Sequence, residues 1–398
     1  MERGFGLCKP NGFNSLVTMQ SWMFLSSYEA LRDKLLIERT IQTMAHLGAR
    51  AFSEISGEVV QTTAFVIHAA HIEFFKPVFF RLLDGGSNEK ESALLSGVGR
   101  FDQTIQADFK QMPGCPIAYW ATPAMKRIFQ SGSSVGLVGS TKQGLATGDN
   151  GQFLRYWHEV SLSNFCSSAT SRDDARQSGK KWFPCNKGGA YRKWFGNNDY
   201  VVNWANDGED IKFDKLERLE KGQILASNSK PKNMDYYFKE GITWSAIATG
   251  DLSMRYSSSS FMFETKGAMY FGKDHESLMY VMALSNSKIS GLFLRILSPT
   301  LDFHEGPFLK LPLIVENPAK ISETVDECIS IAKRDWDAYE TSWQFLKFGL
   351  ASNIEGSVSI SQSFDNWSLQ IVDRLQRLHH LEVGILVAEG RSPDSSPK

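Results

Sequence analysis

Within residues 1–70 the apolar residues change spacing from strand-like to helix-like and back, and this order restricts the fold more than any other feature. Pro10-Asn11-Gly12 is a turn signal, and the run FNSLVTM that follows it has strand length. Ser26 and Glu29 form an S-x-x-E capping box, and Tyr28, Leu31, Leu35 and Leu36 recur three and four apart, which predicts one helix. Residues 40–47 and 59–69 read as two more strands joined by a short Gly-containing link. Strand, helix, strand, strand is the pattern of the tail of an open α/β sheet whose edge is closed by a hairpin.

The rest of the chain divides by composition. Residues 76–135 mix an aromatic, apolar stretch with the polar SNEKESALLSG and predict a connector or helical subdomain. Residues 136–315 carry short strand-like pieces rich in Gly, Asn, Trp and Tyr, as in a β-rich recognition domain. Residues 316–398 return to helical spacing in two stripes. The first runs through Ile321, Val325, Cys328, Ala332, Trp336 and Tyr339, the second through Trp367, Ile371, Leu375, Leu378, Leu381 and Ile385. The tail RSPDSSPK is expected to be disordered.

A chain of 398 residues is too long for one ordinary core, so two or three domains are expected. No run of eighteen apolar residues and no secretory signal is present, which predicts a cytoplasmic protein without a membrane partner. The five cysteines are odd in number and never spaced as CxxC, which fits reduced thiols and no metal site. His68 and His71 lack a third ligand, and no P-loop, GxSxG elbow or HExxH frame occurs. With a net charge of -1 the molecule is not a bulk polyanion binder, so any nucleic-acid surface must be local.

Such a local signal exists. Between Arg172 and Gly196 stand Arg172, Arg176, Lys180, Lys181, Lys187, Arg192 and Lys193 against Asp173 and Asp174, a formal +5 in 25 residues. Trp182, Phe183, Tyr191, Trp194 and Phe195 are interleaved, and Gly188-Gly189 would allow close approach of backbone to a phosphate. Cations that track a DNA backbone beside side chains that read base edges have this composition. A solvated basic loop anchored by its aromatics has it equally. Thr147-Gly148-Asp149-Asn150 reads as a turn before an aromatic strand, with Arg155 free either to contact phosphate or to pair with Glu159. Trp244, after the turn KEGIT, reads as a core residue.

Several strings in order, from KPNGFNSLVTMQSWMFLSSYEALRDKLL and HLGARAFSEISGEVVQTTAFVI through TKQGLATGDNGQFLRYWHEV and KWFPCNKGGAYRKWFGNNDYVVNW to LSNSKISGLFLRILSPTLDFHEGPFLKLPLI, cover most of the chain. They resemble the later motifs of the N6-adenine DNA methyltransferases, more specifically the BREX phage-defence methylase family. The resemblance implies an α/β fold: the C-terminal part of a Rossmann-like methyltransferase sheet (residues 1–75), a mixed α/β target recognition domain (136–315) and C-terminal helices. It implies S-adenosylmethionine as methyl donor, double-stranded DNA as substrate, and, as partners, an N-terminal methyltransferase half or other defence-system subunits. The family's Gly-containing donor loop and its Asn-Pro-Pro-Tyr loop are both absent from these residues, and Asn317-Pro318-Ala319-Lys320 reads instead as a helix start. No catalytic residue is therefore expected in this chain, which reads as the back half of a family member cut in two or started from an internal methionine. Alone it is expected to bind DNA weakly and to methylate nothing.

Methylating the adenine amino group requires the base to leave the duplex. The resemblance places Phe52 where the family stacks an aromatic on the extruded base, while packing into the core is the ordinary fate of a Phe. It also makes Arg155, Lys180, Lys181, Lys187, Arg192, Lys193 and Trp194 the expected DNA-binding residues. A non-catalytic specificity subunit and a decayed remnant remain as alternative readings.

Overall fold

The computed structural model describes residues 1–53, 60–246, 251–298, 303–352 and 359–388. The RSPDSSPK tail lies outside them. The chain forms a mixed α/β structure in two compact units, Met1–Ser133 with Phe293–Pro299, and Ser134–Leu292 with Thr300–Lys398.

The first unit is built on a five-stranded sheet of β1 (Phe13–Met19), β2 (Thr40–Gly48), β3 (Thr62–His68), β4 (Val78–Arg81) and β5 (Arg100–Phe101), in the order β1-β3-β2-β4-β5. β3 runs antiparallel to both β1 and β2, whereas β2 and β4 pair in parallel. Three strands, β1, β2 and β4, thus point the same way, with β3 inserted between two of them. Alternation in β3 sends Thr63, Phe65 and Ile67 to a buried face. There they join Ile41, Met44 and Phe79 over a core completed by Trp22, Met23, Phe24, Leu35, Leu36, Phe109, Ile117 and Tyr119. Within residues 76–135, for which the sequence suggests a connector or helical subdomain, β4 and β5 belong to this same sheet.

The helix after β1 spans Glu29–Glu38 and buries Leu35 and Leu36 as their spacing predicted. The capping box does not form. Ser26–Tyr28 makes a 3-10 turn, and Tyr28 is the helix cap without a side-chain hydrogen bond. The segment is fastened instead by Arg32, 1% exposed, whose guanidinium donates to the carbonyls of Trp22 (2.9 Å), Leu25 (2.8 Å) and Gly114 (2.6 and 2.9 Å). Four charge-assisted bonds offset the cost of burying the cation.

The second unit holds two four-stranded sheets. One orders Met262–Phe263, Trp182–Asn186, Tyr200–Asn203 and Leu154–Tyr156, and the other orders Arg255–Ser257, Gly241–Thr243, Met269–Gly272 and Gly139–Lys142. Their shared core includes Phe153, Phe183, Val202, Trp204, Phe238, Phe263 and Phe271. Trp244 is 1% exposed and donates its indole N–H to the Phe303 carbonyl at 3.0 Å, a core position as its sequence context indicated. Helix His275–Asn286 packs against Pro318–Trp336, which in turn carries Ile360–Ala388. Asn317-Pro318 does start a helix, with Pro318 at its first position, where its missing N–H costs nothing. Of the first predicted stripe, Ile321, Val325, Cys328, Ala332 and Trp336 are buried, while Tyr339 lies beyond the helix and is 40% exposed. Of the second, Leu381 and Ile385 are buried and Leu375 is exposed.

All five cysteines are unpaired thiols. Among the described residues no group of three metal-ligating side chains exists, and no helix is long and apolar enough to cross a membrane.

Candidate nucleic-acid interface

The turn expected at residues 147–150 forms through side chains. Thr147 Oγ1 donates to Asn150 Oδ1 at 2.6 Å, and Asp149 accepts the Gln152 N–H at 3.1 Å to cap the short helix Asn150–Phe153. The strand that follows carries Tyr156 directly opposite Tyr200. The two rings stack with centroids 4.7 Å apart, and the Tyr200 hydroxyl donates to that of Tyr156 at 3.1 Å. The His158 ring lies parallel to Tyr156 on centroids 5.5 Å apart. Lys187 places its ammonium 4.3 Å from the Tyr200 centroid. Burial, and then the hydrogen bond with Tyr156, pushes the Tyr200 hydroxyl up to about 12, so Tyr200 stays neutral at physiological pH. Tyr156 is 43% exposed. The end of this sheet therefore offers a half-open aromatic pile with a cation on top.

The predicted cations part ways here. Lys181 is exposed beside the Trp182 ring. Lys180 reaches back to the Ser163 carbonyl, and Arg155 donates to the carbonyls of Gly151 and Leu154 rather than pairing with Glu159, which accepts the Tyr156 N–H instead. Arg192, Lys193 and Trp194 turn toward the C-terminal helices. Arg192 sits 3.8 Å from Asp335 and lies over the Trp336 ring, and Lys193 meets Glu382 at 3.4 Å. Trp194, expected at a DNA surface, is 2% exposed, and its indole N–H donates to Glu382 at 2.8 Å. Gly188 and Gly189 both take positive φ, and a Cβ on Gly189 would meet the Asn197 side chain at 2.8 Å. Close packing within the loop uses the freedom that the sequence suggested for a phosphate.

In the first unit, Phe52 follows β2 in the link to β3 and is 43% exposed, outside the buried core. Residues 54–59 of that link lie outside the described residues. Sequence reasoning missed Tyr156 and Tyr200. It picked out Phe153, Arg155 and Trp157, one position out of phase; Phe153 is core, and Trp157 donates to the Thr341 carbonyl at 3.0 Å.

No protein-family model matches the chain. It is 42% identical over 379 residues to the adenine-specific methyltransferase BrxX of Escherichia coli O9:H4 (strain HS), covering 94% of this chain and 29% of that protein. It is 40% identical over 388 residues to the adenine-specific methyltransferase PglX of Lacticaseibacillus casei (strain Zhang), covering 95% of this chain and 32% of that protein. Among solved structures it resembles the Type IIL restriction-modification enzyme MmeI in complex with DNA, with a TM-score of 0.55 at 11% identity, over 98% of this chain and 48% of that one. At that identity the likeness is one of fold. By sequence, this chain is a homologue over nearly its whole length of about 30% of the BREX-system proteins named adenine-specific methyltransferases BrxX and PglX.

Proposed function

We propose that this chain supplies DNA target recognition to a site-specific, S-adenosylmethionine-dependent adenine-N6 methyltransferase acting in phage defence. The observation that carries the reading is the half-open Tyr156–Tyr200–His158 pile topped by Lys187, with Lys181 exposed on the same chain segment. Aromatic faces beside mobile cations engage bases and phosphates together. In this reading Lys181 and Lys187 are the leading DNA contacts, with Lys180 and Arg155 behind them. Arg192, Lys193 and Trp194 act indirectly, by fixing the loop to the helices.

The order β1-β3-β2, two co-directional strands with an antiparallel one between them, supports a role for residues 1–75 as the closing edge of a Rossmann-like methyltransferase sheet. β1 is the outer strand of that sheet, and Phe13, Val17 and Met19 on it are each more than half exposed. The outer edge of β1, unpaired among the described residues, fits a sheet continued by further strands, and the apolar stripe on one face of β1 fits a further packed layer. Phe52, half exposed beyond β2, is then the residue that stacks on an extruded adenine.

The methyl donor does not fit the described residues. Arg81 and Lys90 stand at the carboxyl ends of the co-directional strands, and both disfavour a sulfonium cation. This supports a reading in which the donor site and the catalytic loop lie on another segment and the chain alone transfers no methyl group.

The test mixes the chain with labelled S-adenosylmethionine and duplex DNA, with and without a polypeptide carrying a donor loop and an Asn-Pro-Pro-Tyr motif. Transfer only in the mixture supports the proposal. Transfer by the chain alone refutes the division of labour, and sequence-selective DNA binding that never supports transfer favours a non-catalytic specificity subunit.

A further inference from the structure

β2 and β4 end side by side, with β1 ending at the same side of the sheet beyond β3, and in a sheet of this kind ligands gather at the carboxyl ends of the co-directional strands. The parallel register sets His46 directly against Arg81, the last residue of β4. His46 is 2% exposed and fully engaged. Its Nε2–H donates to Gln20 Oε1 at 2.6 Å, and its Nδ1 accepts the Tyr119 hydroxyl at 3.1 Å. The amide of Gln20 passes its own N–H on to Gln61. These buried groups make a fixed polar floor.

Above the floor stands a cation that no described residue neutralises. Arg81 is exposed, lies over the Trp120 ring at 5.5 Å, and forms no ion pair among the described residues. Lys90, 3% exposed, is held by the carbonyls of Leu47 (2.8 Å), Leu82 (2.7 Å) and Leu83 (3.0 Å). Burial first, then the charges of Arg81 and Lys90, hold His46 down to about 3, so the neighbouring charges that it feels are both positive. The guanidinium already covers the Trp120 face, which leaves its planar N–H fork, not the ring, to meet a ligand.

We propose that Arg81, propped on Trp120 and backed by the fixed charge of Lys90, is a contact for a DNA phosphodiester on the first unit. A bidentate fork on a positively charged, rigid base suits an anionic oxygen pair better than a neutral base. The contact rests on the reading of this chain as DNA-binding and adds to it a backbone anchor separate from the Tyr156–Tyr200 face.

The experiment titrates a fluorescein-labelled duplex with the full chain across a salt series, for the wild type, Arg81→Ala, Arg81→Lys and Trp120→Phe. Arg81→Ala is expected to weaken binding roughly tenfold at low salt and to flatten the slope of log K against log salt by about 0.9. Arg81→Lys keeps the slope and loses part of the affinity, because a point charge replaces the fork. Trp120→Phe retains the ring under Arg81 and binds like the wild type. Arg81 is exposed, so its variants should melt as the wild type does. A wild type that binds duplex while Arg81→Ala keeps the same affinity and slope overturns this contact alone. A wild type that binds no duplex at any salt overturns the DNA reading and this contact with it.

Discussion

Trp194 donates its indole N–H to Glu382 across 188 residues of sequence, in a bond of 2.8 Å that joins the basic loop to the last helix. The same carboxylate meets Lys193 at 3.4 Å. Trp194 is buried with φ at +69°, a strained conformation for a side chain of its size, so its surroundings must hold it in place.

Removing that acceptor strands a buried N–H. Glu382→Ala is expected to cost about 1–3 kcal/mol, read as faster hydrogen exchange across the helix Ile360–Ala388 and a lower denaturant midpoint. Trp194→Phe in the same background should add less than it does alone, because the shared bond is already gone. Strict additivity in that cycle would show that the bond carries no coupling.

The split among the predicted cations has its own signature. Lys181→Ala with Lys187→Ala is expected to flatten the salt dependence of duplex binding by about 1.8, two phosphates at ~0.9 each. Arg192→Ala, whose charge already faces Asp335 and Trp336, should leave the slope alone and instead loosen the helix Pro318–Trp336. A slope change for Arg192→Ala equal to that of one lysine would return Arg192 to the DNA surface.

Much of the first unit was legible because its elements are long and periodic. β1 begins and ends where its apolar run does, and Leu35 and Leu36 face inward as their spacing required. The capping box failed because S-x-x-E marks a helix start only if Ser adopts the cap geometry, and here Leu25 and the 3-10 turn come first. The basic loop was legible as a charge cluster, but sequence does not say which charges find partners. Asp335 and Glu382 lie 143 and 189 residues beyond Arg192 and Lys193, and only the fold brings them together. The Tyr156–Tyr200 pair escaped notice for the same reason, since 44 residues and a strand register separate the rings.

His46 gives the first unit a stability that falls with acid. Its folded-state value, about 3, lies below the 6.5 of an unfolded His, so between these values the unfolded chain binds more protons and unfolding gains on the fold as pH drops. The contribution is complete above pH 6.5 and declines by up to ~1.4 kcal/mol for each pH unit below it. His46→Gln should flatten the pH dependence of hydrogen exchange in β2 and β3 between pH 6.5 and 4. An unchanged profile would mean that His46 titrates normally in the fold.

His275 acts in the opposite sense in the second unit. Its Nδ1 meets Glu240 at 2.9 Å and its Nε2 meets Asp326, on the helix Pro318–Trp336, at 3.1 Å. Burial works against the charged imidazole, but hydrogen bonds to Asp326 and Glu240, and the charges of both, outweigh it and raise its value above 6.5. The Tyr256 hydroxyl also donates to Glu240 at 2.7 Å, which keeps that carboxylate in place as His275 titrates. A value raised by folding means that the stabilisation is complete below the unfolded value and is lost as pH climbs through the folded one. Because His275 is 46% exposed, solvent screens the pair and the effect is modest. Hydrogen exchange in residues 318–336 should therefore quicken, beyond its intrinsic base dependence, from pH 6.5 into the alkaline range. His275→Gln should abolish that extra rise while leaving the acid sensitivity of β2 and β3 untouched. Loss of both responses in the one variant would show that the two histidines do not act independently.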